Sequence, residues 1–191
     1  MPLAYLKSAT RQFEYYKSLG ERAMMQLEDT ALFYQVNEET NSIAIIVKHL
    51  WGNMLSRWTN FLTEDGEKPW RERDGEFEAG IKTREELLQK WKEGWQCLFD
   101  ALSSITDEDL EQIVYIRNEG HTILEAINRQ IAHYSYHVGQ IVFIAKMIKD
   151  NNWQSLSIPR NHSASYNHQK FSEDKGIRHF TESEIKKTDE S

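Results

Sequence analysis

Apolar residues recur at three- and four-residue intervals over four long stretches of this chain, and strict alternation is nearly absent. The first stretch runs from about Leu3 to Leu27, with Leu6, Phe13, Tyr16, Leu19, Ala23 and Leu27 spaced for one helical face. "NEETNS" breaks the pattern, and Asn41 or Ser42 is placed to cap a second helix, "SIAIIVKHLWGNMLSRWTNFL". That helix carries Ile43, Ile46, Val47, Leu50, Trp51, Met54 and Trp58 on one wide stripe. The third stretch, "TREELLQKWKEGWQCLFDALSSI", opens on Thr83 with Glu86 three residues later, a capping-box pattern. Leu87, Leu88, Trp91, Trp95, Leu98, Phe99 and Leu102 supply its apolar side. The fourth runs from roughly Thr122 to Asp150. Prolines occur only at positions 2, 69 and 159, so none interrupts these helices.

The connection between the second and third helices, "TEDGEKPWRERDGEFEAGIK", has three Gly and one Pro in twenty residues, far more than a tight turn needs. A link of that length can carry the chain across the end or along the side of a bundle. Between the third and fourth helices, Thr106 and Asp109 look like a cap, and "IVYI" reads as a short extended piece. After Asn151 the pattern dissolves, and the last fifteen or so residues are expected to be mobile. The prediction is an all-α fold, a four-helix bundle with a long helix 2 to helix 3 crossover. The domain spans residues 1–168, followed by a polar tail over 169–191.

Composition narrows the functional classes. Net charge is −7, and no basic stripe breaks the acidic background, which argues against nucleic acid and anionic membranes as partners. The single cysteine, Cys97, excludes an intramolecular disulfide and, among Trp95, Leu98 and Phe99, reads as a small core residue. No run approaches the roughly 20 apolar residues of a membrane span, and the start lacks a secretory pattern. A soluble, cytoplasmic setting is expected.

The candidate chemistry lies in "HYSYHVGQ", residues 133–140, within the apolar fourth helix. At about 100° per residue His133 and His137 lie about 40° apart, on the flank of the stripe. Imidazoles at i and i+4 converge on one point above a helix, as bidentate metal binding requires. They are equally compatible with hydrogen-bonded histidines at the edge of a core. A catalytic metal site wants a third protein ligand. His121, twelve residues before His133, would be about 18 Å away along one helix. Glu119 and Glu125 are more than one turn from the pair, and His162, His168 and His179 stand in the weakly patterned tail. His49 stands alone on the second helix beside its stripe, and periodicity does not separate a ligand there from a solvated flank histidine.

"NSIAIIVKHLWGNMLSRWTNFL" with "IAHYSYHVGQIVFI" resembles the DinB-like superfamily of metal-dependent bundle proteins. "DGEKPWRERDGEF" and "LSIPRNHSASYN" are similar to an uncharacterised branch of it, and the likeness covers about residues 3–168. The resemblance implies that His49, His133 and His137 bind a divalent metal, nickel or zinc, in a cleft between helices. It also implies a homodimer. Characterised members of that superfamily include low-molecular-weight thiol S-transferases and a thiol-dependent isomerase. The function expected by resemblance is therefore a metal-dependent small-thiol S-transferase or related hydrolase. The alternative is a non-catalytic dimeric bundle with a structural or sensory metal, tied to stress.

Three neutral imidazoles leave the full double charge on a divalent ion, which would activate a bound water or thiol. Asn53, Gln130 and Gln140 lie on strips from which they could support the ligands, or simply border the apolar stripe. Tyr134 points nearer the core. Arg57 suits an anionic substrate or, more simply, a surface salt bridge. The mixed-charge run "RERD", residues 71–74, reads as a solvated loop. No catalytic side chain beyond the metal ligands is assigned.

Overall fold

The structure is a computed structural model and describes residues 5–182. Four long helices account for most of it: α1 (Tyr5–Met25), α2 (Ile43–Trp58), α3 (Arg84–Ser103) and α4 (Ile123–Lys149). A two-stranded antiparallel hairpin, β1 (Ile113–Ile116) and β2 (Glu119–Thr122), precedes α4, and a short α5 (Ser163–Phe171) follows it. The fold is thus mostly helical, as the periodicity predicts. "IVYI" forms one arm of the hairpin.

The starts of α2 and α3 are set by the predicted caps. The Ser42 hydroxyl accepts the Ile45 N–H at 3.2 Å, and the Thr83 hydroxyl accepts that of Glu86 at 3.1 Å. The Glu86 carboxylate reaches one residue further back than a capping box requires, to the Lys82 N–H at 3.0 Å. Thr122 and Glu125 form a complete box at the start of α4. Helix α2 stops at Trp58 although apolar spacing continues to Leu62. Asn60 takes a left-handed backbone (φ 49°) that ends the helix, while Phe61 remains buried just beyond it.

Helix α2 packs on α3 and α1 packs on α4, while α2–α4 and α1–α3 contacts close the ring. Its centre is aromatic. Trp95 lies 6.4 Å from Phe13 and 5.8 Å from Tyr134, with Trp91 edge-on at 5.4 Å, so α1, α3 and α4 meet on one cluster. Tyr134 also reaches α2. Its hydroxyl accepts from Trp58 Nε1 at 3.0 Å and donates to Asn53 Oδ1 at 3.1 Å, which satisfies a fully buried phenol.

Helix α2 is buried nearly all round, not on one stripe, because the segment joining it to α3 lies along its outer side. That crossover contains the short 3-10 helix Asp74–Phe77, held on α2 by Lys48, whose ammonium donates to the Gly75 and Glu78 carbonyls. The crossover is also tied to the hairpin. Asp65 accepts the backbone N–H groups of Arg117 and Asn118, each at 2.8 Å, and the Gly66 N–H donates to the Tyr115 carbonyl.

Residues after α4 carry more order than the fading pattern suggests. Helix α5 straddles the expected boundary at residue 168, and His179 and Thr181 are buried. The His179 ring lies 3.1 Å from the Ser8 hydroxyl, and Arg11 pairs with Glu182 at 2.7 Å, both on α1. Most of the stretch expected to be mobile, residues 183–191, lies outside the described residues.

Gly20 on α1 faces the Trp91 ring so closely that an added Cβ would stand 2.6 Å from it. A glycine-to-alanine change inside a helix ordinarily gains about 1 kcal/mol. Here Gly20→Ala is expected to lose about 1–3 kcal/mol in urea denaturation, because the buried indole has nowhere to go.

A three-histidine cluster under an arginine-lined cleft

His49 projects from the middle of α2, and His133 and His137 from successive turns of α4. Their Nε2 atoms converge, with His133 Nε2 3.2 Å from that of His49 and 3.1 Å from that of His137. The second-helix histidine that periodicity left ambiguous is 4% exposed and belongs to the cluster.

Each ring is held from behind by an oxygen. His49 Nδ1 donates to Glu76 Oε2 at 2.9 Å, His133 Nδ1 to Gln130 Oε1 at 3.3 Å and His137 Nδ1 to Gln140 Oε1 at 2.9 Å. A carboxylate or amide oxygen only accepts, so the protons sit on Nδ1 and three Nε2 lone pairs face one point. Between neutral rings so arranged, the short Nε2 separations set lone pair against lone pair. Burial first, and then the neighbouring His137 and His49, push the His133 pKa down to about 3, and burial likewise lowers His137. Three lone pairs at this spacing repel unless a cation lies between them. Adjacent nitrogens around tetrahedral zinc are roughly 3.3 Å apart, so the cluster fits a divalent metal. The donor set does not choose among metals that favour imidazole.

Gln130 and Gln140 lie behind the His133 and His137 rings, whereas the Asn53 side-chain oxygen accepts from Tyr134, which packs in the core. The third support is Glu76, from the crossover. Arg71 donates to the same carboxylate through Nε at 2.7 Å and Nη2 at 2.9 Å. Burial alone would raise the Glu76 carboxyl, but the bonds from His49 and Arg71 more than reverse it. The "RERD" run is thus no plain solvated loop, because the Arg71 side chain is only 2% exposed. Glu76 approaches α2 at Gly52, where any Cβ would collide with its carboxylate.

Arg57 is likewise no surface ion pair. It is buried, donating to the Gly66 carbonyl and to Glu67 Oε2 at 3.2 Å. The other sequence candidates are placed elsewhere. His121 stands on β2 opposite Val114, Glu125 is spent on the α4 cap, and His162 and His168 are exposed at α5. Cys97 is half-buried against the core, and burial raises its thiol pKa.

The histidines lie in a cleft of about 320 Å³ that Phe77 partly covers, its ring stacked on His49 at 4.8 Å. Five arginines line the same cleft: Arg57, Arg71, Arg73, Arg117 and Arg129. Sequence reasoning weighed only the first as a binding group. A readable signal existed for one more, because Arg129 stands four residues before His133 on the same helical strip. The others come from the crossover and the hairpin turn, where periodicity carries no information.

Among families of known proteins, one described as a protein of unknown function (DUF1572) matches residues 1–162. The chain belongs to the DUF1572 family. The match takes in all four long helices, the crossover and the three histidines of this DUF1572 protein, and stops just before α5. No curated protein and no solved structure matches it. Among its described residues no helix is long and apolar enough to cross a membrane.

The electrostatics set the acid behaviour of the metal-free DUF1572 protein. A histidine whose pKa falls to about 3 on folding takes up its proton first in the unfolded chain. Stability therefore falls as pH drops from about 6.5 toward 3. Glu76, also lowered by folding, adds to the loss at the acid end of that window. Urea midpoints measured from about pH 7 to pH 4 should decline, and His133→Gln should flatten the upper part of the decline.

Proposed function

We propose that the protein is a divalent-metal-dependent enzyme with a DinB-like four-helix bundle, most simply a small-thiol S-transferase or a related hydrolase. The observation that carries this reading is the convergence of three neutral Nε2 donors at the base of a cleft instead of inside a sealed core. A structural metal site is closed, whereas a catalytic one keeps a position for substrate. The cleft favours the catalytic alternative over the structural or sensory one. The ring of four helices and the long crossover support the DinB-like assignment.

When bound, a zinc or nickel ion would supply Lewis acidity, lowering the pKa of water or a thiol at its remaining position. The chain's residues prepare that position. Glu76, Gln130 and Gln140 fix the ring orientations and keep each proton on Nδ1, so that no ligand has to change tautomer. Phe77 limits water above His49. Cytoplasmic location and a homodimer belong to the same proposal. Exposed Tyr136, Phe143 and Met147 on the outer side of α4 offer apolar surface for pairing.

Metal analysis of the untagged protein should find about one zinc or nickel per chain, and His133→Ala should lose it. Glu76→Gln should weaken metal binding by about 10–100-fold, because it removes the charged acceptor behind His49. Equal metal content in wild type and His133→Ala would remove the site reading. Turnover of a small thiol with an electrophilic acceptor, abolished in His133→Ala, would establish the transferase class.

A further inference from the structure

The charge of the cleft is opposite to that of the chain. In a protein of net charge −7, the charged residues lining this cleft, its histidines aside, are five arginines and no acid. The carboxylates behind them are already occupied. Glu67 pairs with Arg57 at 3.2 Å and with Arg117 at 3.1 Å, Glu76 holds Arg71 and His49, and Asp65 accepts the turn amides of Arg117 and Asn118. Even with all three counted, five guanidiniums outnumber three carboxylates. A divalent ion held by the histidines would increase that excess.

The arginines fall into two sets. Arg57 and Arg71 are buried and braced; Arg57 Nε has no hydrogen-bond acceptor, and Arg71 Nη1 has only the Glu67 carboxylate, 3.6 Å away. Arg73 and Arg129 are exposed and have no carboxylate partner among the described residues. Arg117 stands between the sets. It occupies the tight hairpin turn with φ 58°, a left-handed backbone unusual for a side chain of its size. Asp65 holds that turn against the crossover, so the fold maintains an unfavourable conformation where it brings a guanidinium to the cleft. Concentrated guanidinium groups in a concave, partly dry site select planar or tetrahedral oxyanions by paired N–H donation.

We infer that the cleft binds a small anionic molecule whose carboxylate or phosphate group is held by Arg73 and Arg129, with Arg117 at its side. This rests on the metal-site reading for the identity of the reacting centre, but the anion contacts themselves need no metal. The substrate is accordingly an acidic metabolite or an acidic thiol, oriented by its anionic end with the remainder directed to the three histidines.

The test uses the full chain, with inorganic phosphate and malonate as separate probes for the two oxyanion types. Each is titrated calorimetrically into metal-free and zinc-loaded wild type and into Arg73→Gln/Arg129→Gln. Both substitutions fall on exposed side chains, and circular dichroism of the variant should match wild type. Wild type should bind at least one probe, and the double variant should bind it about tenfold or more weakly at unchanged zinc affinity. Preference for phosphate or for malonate identifies which oxyanion the substrate carries. Equal binding by both proteins, or no binding of either probe at millimolar concentration, would overturn the inference. Anion binding without zinc binding would leave it standing and remove the metal reading, whereas zinc binding without anion binding would do the reverse.

Discussion

A buried carboxylate costs several kcal/mol unless its lone pairs are met, and Glu76 meets them with His49 on one oxygen and Arg71 on both. That single group couples three parts of the molecule. It fixes a ring on α2, anchors the crossover to the helix it covers, and fixes a guanidinium at the edge of the cleft. Loss of the carboxylate would leave a buried guanidinium with only Glu67 Oε2, 3.6 Å from its Nη1, as a charge partner. Gly52 is needed for the same reason, since only a residue without Cβ lets the carboxylate lie against α2.

The site and the core are also joined through Tyr134, which follows His133 in sequence. Its ring closes the aromatic cluster with Phe13 and Trp95, and its hydroxyl bridges Trp58 and Asn53 on α2. That contact ties α4 to α2 beside the histidines, and His49 and His133 hang from the same pair of helices. Precision in the cluster is thus a product of core packing, and the Nδ1 acceptors refine it.

The cleft shows a division of labour between regular and irregular segments. Helices supply the three Nε2 donors, whose positions tolerate little error. The crossover and the hairpin turn supply Arg71, Arg73, Arg117 and Phe77, which give the cleft its charge and partial cover. The irregular segments thus carry the charge of the cleft on a rigid helical frame, where loops ordinarily carry specificity.

Four helices, the caps of α2 and α3, the length of the crossover and the i, i+4 histidine pair were all legible in the chain. Each depends on residues near one another in sequence, through periodicity or capping. The burial of His179 was hidden because its partner, Ser8 on α1, lies 171 residues upstream. His49 could be named only through a resemblance, since one histidine beside a stripe has no periodic signature. Glu76 and Arg71 were hidden in a run whose charges suggested solvent, and Asn53 was drawn to the wrong partner by the strip it shares with His49. Local sequence determined the helices and which side of each is apolar. Only tertiary structure decided which polar side chains meet, because the balance between desolvation and pairing for a buried charge is struck by partners from distant segments.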